Sequence, residues 1–164
     1  MMERRLDPER LGDHVDRLYR AAWALCGSRE DAEQLVQETF ARVLARPRVL
    51  RRDDDIGYLL GALRKTFLST KRTERRRPRT EALPEDREPP EPRATGDPVA
   101  ALEASEVFAA VAALPDDYRD VIVAVDVAGL GYEEAATALD IPSGTVMSRL
   151  YRARGQVVRQ LEGS

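Results

Sequence analysis

The chain has 164 residues, of which 43% are hydrophobic and 34% are charged, a composition typical of a globular protein and not of a disordered or membrane-embedded chain. No apolar run approaches the roughly 20 residues of a membrane-spanning helix, and no apolar stretch follows the basic residues at the amino terminus, so we expect no secretion signal and a cytoplasmic location. The one cysteine and the one histidine, Cys26 and His14, cannot form a disulfide or a cluster of soft metal ligands within one chain, and no cofactor is expected.

The net charge of −3 is distributed unevenly along the chain. Residues 46–79 carry twelve Lys and Arg against four Asp and Glu, whereas residues 80–106 carry two against eight. Residues 107–142 carry one against seven, and residues 143–164 carry four against one. A nucleic-acid partner is therefore compatible with the acidic total, because it would meet the two basic segments.

In the first part of the chain, apolar residues recur at spacings of three and four, the pattern of amphipathic helices. The pattern predicts two helices, with Ser28 or Asp31 as the N-cap of the second. Pro47 ends the second helix, because the residue before a proline is pushed out of helical geometry. A third helix is predicted from Tyr58 through a basic carboxyl-terminal part to a stop at Pro78.

The middle of the chain has the composition of a linker. Residues 78–98 contain six of the ten prolines, mixed with charged residues and with almost no side chains that could form a core. We therefore predict an all-α protein of two small helical domains joined by a flexible Pro/Glu-rich linker. The first domain comprises residues 1–78, the linker residues 79–100 and the second domain residues 101–164.

The second domain is predicted to contain four helices. They cover residues 99–114, with a stop at Pro115, and residues 116–128, 132–139 and 143–161. The core candidates of the helix over 116–128 are Val121, Ile122, Val125 and Val127. No strand pattern competes with these helices.

The last two helices have the spacing of a helix-turn-helix, in which the first helix braces the DNA backbone and the second enters the major groove. Asp140 occupies a position that needs a left-handed backbone, which is tolerable for Asp. Ile141 can fill the angle between the helices, and Ser143 can cap the second one.

The second helix of this motif has two distinct faces. Helical periodicity predicts a core face of Val146, Leu150, Ala153 and Val157. It predicts an opposite face of Gly144, Ser148, Tyr151 and Arg152, flanked by Thr145 and Met147, that is suited to base edges and phosphates. The alternative is the terminal hairpin of a helical bundle, in which Arg149, Arg152 and Arg154 form a solvated stripe.

Several strings resemble one protein family. The run from Gly144 to Arg154, Gly-Thr-Val-Met-Ser-Arg-Leu-Tyr-Arg-Ala-Arg, together with segments 115–122 and 131–136, closely resembles region four of bacterial extracytoplasmic-function (ECF) RNA polymerase sigma factors. Asp31–Phe40 is similar to the region-two segment that binds RNA polymerase. Tyr58–Arg77 is similar to the helix that opens the promoter at the minus-10 element.

This resemblance implies a non-enzymatic promoter-specificity subunit and assigns roles to residues. It implies contacts with the beta-prime clamp helices of the core polymerase by Asp31, Glu33, Gln34, Gln37 and Glu38. It implies minus-10 contacts by Tyr58, Arg64, Lys65, Lys71, Arg72, Arg75 and Arg76. It implies minus-35 contacts by Ser143, Thr145, Met147, Ser148, Arg149, Tyr151 and Arg152. The family also implies an anti-sigma protein as a partner, and no membrane contact of the chain itself.

One departure from the family is informative, because Met147 stands where many relatives place Lys or Arg. A methionine there offers an apolar contact suited to a thymine methyl group and no hydrogen bond to guanine. Two rival functions stay open: a regulator that binds an operator without polymerase, and an enzyme. The enzyme is the weaker of the two, because the sequence has no Gly-rich phosphate loop and no paired-carboxylate signature.

Overall fold

The structure, a computed structural model, describes residues 4–5, 8–45, 49–50, 55–76 and 98–163. Within these ranges the chain is almost entirely helical, and the prediction of an all-α fold is confirmed. The α-helices are α1 (Pro8–Cys26), α2 (Arg29–Ala45), α3 (Asp55–Arg76), α4 (Pro98–Ala112), α5 (Asp116–Ile122), α6 (Tyr132–Leu139) and α7 (Ser143–Glu162). The predicted linker lies almost wholly outside the described residues.

The boundary between α1 and α2 forms at a glycine and a serine. Gly27 adopts a left-handed backbone with φ 74°, and its N–H donates to the Trp23 carbonyl at 2.7 Å, which closes α1. The Asp31 N–H donates to the Ser28 hydroxyl at 3.4 Å. Of the two caps that the sequence offered for α2, the structure therefore selects Ser28.

A short strand pairing departs from the prediction. β1 (Arg4–Arg5) pairs antiparallel with β2 (Val49–Leu50), with Arg4 opposite Leu50. Each strand has only two residues, too few to form an alternating apolar pattern in the sequence. The fold class nevertheless remains all-α, because the pairing involves only these two dipeptides.

The helix predicted over residues 116–128 is not α-helical throughout. After α5 the backbone widens into a π-helical turn, Val123–Val127, and the Ala128 N–H donates to the Val123 carbonyl at 2.8 Å. The Ala128 carbonyl in turn accepts a hydrogen bond from Arg17 Nε at 2.9 Å. A side chain of α1 thus satisfies the carbonyl at the end of this helix.

The turn between α6 and α7 has the predicted geometry at Asp140, with φ 56° and ψ 49°. Ile141 is half-buried and packs against the core, as expected for a residue that fills the interhelical angle. The prediction that Ser143 caps α7 is wrong. Pro142 occupies the cap position with φ −64° and ψ 149°, and no side chain hydrogen-bonds there, so Ser143 is the first helical residue.

The two halves of the chain pack against each other. The buried residues of α1, α2 and α3 and those of α4 through α7 belong to one hydrophobic core. The Trp23 ring of α1 meets the Phe108 ring of α4 edge-on at 4.7 Å between centroids. A Cβ on Gly27 would lie 3.1 Å from the Ala112 Cβ, so the left-handed glycine also permits this close approach. None of the described helices has both the length and the apolar character that crossing a membrane requires.

Candidate nucleic-acid interface

α7 presents two faces with opposite exposure. Val146, Leu150 and Ala153 are buried against the rest of the domain, as the periodicity predicts. On the other side, Tyr151 is 82% exposed and Met147 is 54% exposed. Large side chains that project into solvent from a rigid helix suit insertion into a DNA groove.

The arginines of α7 differ in the carboxylates available to them. Arg154 donates two hydrogen bonds to the Asp126 carboxylate, at 2.9 and 2.7 Å, and these bonds raise the pKa of the Arg154 guanidinium. Arg149 Nη1 lies 3.8 Å from an Asp117 oxygen and is partly covered. Arg152 is exposed and pairs with no carboxylate in the part of the chain that the structure describes, and the same is true of Arg159 further along the helix, so both cations are available to a phosphate or a base.

The remaining predicted minus-35 residues surround this face. Ser143 and Ser148 are exposed and Thr145 is half-buried. The Ser148 hydroxyl donates to the Thr145 carbonyl at 3.2 Å, which leaves its lone pairs available as acceptors. A cavity of about 390 Å³ lies between the start of α5 and α7, and its lining includes Ser148, Arg149 and Arg152. All seven residues are thus exposed or partly exposed, but they do not form a single face: Thr145, Ser148 and Tyr151 lie within about 100° of Arg152 around α7, whereas Met147 is about 140° and Ser143 about 180° away. Arg149 is turned toward Asp117 of α5.

The predicted minus-10 residues divide between two sides of α3. Arg64 faces α5, with its Nε 2.8 Å from an Asp120 oxygen. Lys71 is exposed, and its Nζ lies 5.1 Å from the centre of the Phe67 ring one turn earlier on the same helix. Lys65 and Arg72 are exposed and lie about 80–100° around the helix from Arg64, at about 100° per residue.

The structure says less about the other three minus-10 candidates in α3. Tyr58 is half-buried and packs against the core, so only part of its ring is available to an unstacked base. Arg75 and Arg76 belong to the helix, but their side chains lie outside the described residues. The structure therefore does not unite the seven residues into a single basic stripe.

The polymerase-binding candidates lie on α2. Asp31, Gln34, Gln37 and Glu38 are exposed and Glu33 is half-buried. The opposite face is buried through Ala32, Leu35, Val36, Thr39 and Val43. Glu38 accepts a hydrogen bond from Arg42 at 2.9 Å, in an exposed pair that is screened by water and is worth little by itself. The strip is thus a polar surface on a helix that is fixed by its own core face.

A charged cluster between the halves escaped the sequence analysis. Arg119 is only 3% exposed and Asp120 only 7%, and the Arg119 guanidinium lies 4.8 Å from the centre of the Phe67 ring. Charged side chains in a helix are ordinarily assigned to its solvent face, so no sequence pattern indicated that these two are buried. Phe67 is a core residue, only 4% exposed.

Groups with catalytic potential are few in the described ranges. Burial raises the pKa of the Cys26 thiol to about 12, which makes its thiolate scarce at neutral pH. No three His, Cys, Asp or Glu side chains converge there as a metal site.

Two family profiles match the chain in sequence order. Residues 11–77 match Sigma-70 region 2, and residues 105–157 match Sigma-70, region 4. The first match covers α2 and α3, and the second contains the helix-turn-helix with its exposed α7 face.

Curated relatives carry the same family name. The chain is 37% identical over 154 residues to the ECF RNA polymerase sigma factor SigE of Mycolicibacterium smegmatis, covering 91% of this chain and 59% of SigE. It is 32% identical over 148 residues to the ECF RNA polymerase sigma factor EcfG of Rhodopseudomonas palustris, covering 87% of this chain and 78% of EcfG.

Two solved structures have a similar fold. The sigma factor RpoE of Bartonella quintana, crystallised with the anti-sigma factor NepR, superposes with a TM-score of 0.73 at 24% identity and covers 94% of this chain and 95% of its own. CnrH, in complex with the cytosolic domain of CnrY, superposes with a TM-score of 0.65 at 21% identity, covering 95% and 87%. At such identities the likeness concerns the fold.

Proposed function

The chain belongs to the extracytoplasmic-function family of RNA polymerase sigma factors, and on that premise we propose that it binds the core polymerase and directs it to promoters with two DNA contacts. α7 recognises the minus-35 element, and α3 holds the separated strand at the minus-10 element. The chain catalyses no reaction, because its binding energy is directed at the open DNA and polymerase performs the nucleotidyl transfer.

One observation carries this proposal: the exposed face of α7 is fixed by a fully buried face on the same helix. Val146 and Ala153 are 0% exposed, so the helix cannot rotate without opening the core. Met147, Ser148, Tyr151 and Arg152 are therefore presented in one orientation. A fixed helix face that carries an unpaired arginine suits direct contacts with base edges.

The front half of the chain would supply the other contacts. Lys65 and Arg72 are exposed on α3, and each can neutralise a backbone phosphate of a single strand. The α2 strip of Gln37, Glu38 and their neighbours offers carboxylates and amides to a basic polymerase surface. We assign residues 1–78 to polymerase and minus-10 binding, residues 79–100 to the linker and residues 101–164 to minus-35 binding.

An anti-sigma protein is a further partner in this proposal. Both structural relatives were solved with a protein bound, NepR described as an anti-sigma factor and the other being the cytosolic domain of CnrY, and their fold is similar to that of this chain. A regulator of this kind would sequester the protein in the cytoplasm, where polymerase and promoters are.

The test is transcription initiation with purified bacterial core polymerase and genomic fragments. Adding the full chain should produce transcripts with defined starts, and alignment of the upstream sequences should give both promoter elements. A known sigma factor serves as the positive control. Absence of any start dependent on the chain, while the control succeeds, would refute the proposal.

A charge reversal separates this function from that of an operator-binding regulator. Glu38→Lys should weaken binding to core polymerase about tenfold or more, equivalent to at least about 1.4 kcal/mol, and should abolish initiation. Glu103→Lys makes the same reversal on an exposed residue of α4 and should leave initiation intact. If both variants initiated equally well, the α2 strip would not be the polymerase contact.

A further inference from the structure

Helix α3 meets the second half of the chain through charged groups and through backbone. Arg64 Nε donates to an Asp120 oxygen of α5 at 2.8 Å, and the Arg64 side chain is 32% exposed while that of Asp120 is 7% exposed. One turn earlier on the same side of α3, a Cβ on Gly61 would lie 3.6 Å from the Ala138 carbonyl of α6. This side of α3 is thus covered by α5 and α6.

Asp120 is shared between two arginines. Its other oxygen accepts a hydrogen bond from Arg119 at 3.2 Å, and Arg119 also pairs with Asp116 at 3.0 Å. The Arg119 Nε is buried without a hydrogen-bond partner in the described structure, and the guanidinium carbon lies over the Phe67 ring of α3. Two cations and one buried carboxylate therefore join α3 to α5, and a buried charge that loses its partner is costly.

A carboxylate and a backbone phosphate present the same chemistry to an arginine, namely anionic oxygens that accept N–H hydrogen bonds. While Arg64 donates to Asp120, it cannot also neutralise a phosphate through the same Nε. A DNA strand bound on the Arg64 side of α3 would also have to displace α5 and α6. Contact of Arg64 with DNA and contact of α3 with α5 are thus mutually exclusive.

We propose that the Arg64–Asp120 contact, supported by Arg119 and Phe67, is an autoinhibitory latch. It keeps the two halves of the unbound protein closed and withholds the Arg64 side of α3 from single-stranded minus-10 DNA. Opening the latch releases Arg64 for the strand. This inference rests on the proposed function, since it takes α3 as the minus-10 helix.

The latch acts on only one of the two DNA-binding surfaces. Met147 and Tyr151 of α7 remain exposed in the closed form, and so do Lys65 and Arg72 on the other side of α3. The closed protein can therefore still contact duplex DNA through α7. Its affinity for the melted strand is reduced by the fraction of molecules that are open.

The test uses the full chain with Asp120→Asn. Asparagine retains a carbonyl oxygen as an acceptor for Arg119, but it has no negative charge for Arg64. Asp126→Asn is the matched control, because it removes the same charge and breaks the Arg154 pair entirely within the second half of the chain. Opening is measured by fluorescence energy transfer between dyes on Arg42→Cys and Gln160→Cys, both exposed, in a Cys26→Ala background.

Affinity is measured for a single-stranded oligonucleotide that carries the minus-10 element found by transcript mapping. Asp120→Asn should lower the transfer efficiency and tighten oligonucleotide binding roughly five- to tenfold, if the open fraction rises from about a tenth to near one. Asp126→Asn should leave the transfer efficiency unchanged and alter binding by less than about twofold. Urea unfolding of both variants confirms that they are folded.

Two results would overturn the latch: unchanged transfer efficiency in Asp120→Asn, or opening without any gain in oligonucleotide binding over Asp126→Asn. If Asp120→Asn instead proves unfolded, Arg64→Gln must open the chain by the same fluorescence measurement, and failure to do so overturns the latch. The fluorescence measurement requires neither polymerase nor DNA. A failed latch with intact transcription is therefore distinguishable from a failed sigma-factor function.

Discussion

Replacement of Met147 by arginine tests which face of α7 lies in the groove. Met147 is 54% exposed and lies one helical turn before Tyr151, on the flank of the exposed face. An arginine there would extend into the groove, and residues 143–151 of α7 carry no Asp or Glu that could pair with it. Because the native side chain is largely in solvent, the fold should lose less than about 0.5 kcal/mol of stability.

The expected change is in base preference. A bidentate arginine–guanine contact is worth about 1–3 kcal/mol of discrimination against the wrong base, which corresponds to roughly 5- to 150-fold. One position of the minus-35 element should therefore shift toward guanine by that factor. The assay is initiation by core polymerase with Met147→Arg on templates randomised over the minus-35 element, followed by sequencing of the transcribed templates.

A charge-matched control separates base recognition from general attraction to DNA. Gln160 is exposed on α7, about 140° around the helix and about 20 Å along it from Met147. Gln160→Arg adds the same charge and should leave every base preference unchanged. If Met147→Arg shifted no position, or if both variants shifted the preferences equally, our assignment of the groove face would be refuted.

Three further predictions concern stability and are measured by urea unfolding. Leu150→Ala should cost about 2–5 kcal/mol because it leaves a cavity in the core, whereas Val158→Ala on the exposed side should cost less than about 0.5 kcal/mol; equal costs would contradict the two-faced helix. Asp140→Val should cost about 1–2 kcal/mol because of the left-handed backbone, while Asp140→Gly should match or exceed the native stability; equal stabilities would contradict the turn geometry. Burial raises the pKa of the Cys26 thiol from 9.0 to about 12, so the stability that the neutral thiol contributes is complete below pH 9 and is lost as the pH rises toward 12. Cys26→Ala should remove that part of the pH dependence of the unfolding free energy. Parallel curves of unfolding free energy against pH for the variant and the native protein would contradict this prediction.

The sequence predicted the helices well because their signals are local. The amphipathic spacing, the cap at Ser28 and the left-handed Asp140 each depend on a few neighbouring residues, so they can be identified without a three-dimensional structure. The two faces of α7 follow from periodicity in the same way. The error at Ser143 arose because Pro142 took the cap position, a choice between adjacent residues that both suit the start of a helix.

Contacts between distant segments could not be predicted from the sequence. The π-helical turn Val123–Val127 has no characteristic amino-acid pattern that would predict it. The carbonyl at its end accepts a hydrogen bond from Arg17, more than a hundred residues earlier. Arg64 was predicted as a DNA contact because it is basic and lies on α3. That it donates to Asp120 could not be foreseen, because pairing across 56 positions depends on how the halves pack.

The same distant pairs explain how a chain with a net charge of −3 can hold DNA. Asp126 and Asp120 each pair with an arginine, so these carboxylates neutralise cations of the chain and repel an approaching phosphate less than their number suggests. Among the described residues, the exposed cations without a carboxylate partner include Lys65, Lys71 and Arg72 on α3 and Arg152 and Arg159 on α7, and these remain for DNA. Because each phosphate neutralised contributes about −0.9 to the salt dependence of duplex binding, the pair on α7 should give a shallow dependence. Specificity must then depend on the fixed geometry of α7 more than on the summed charge of the chain.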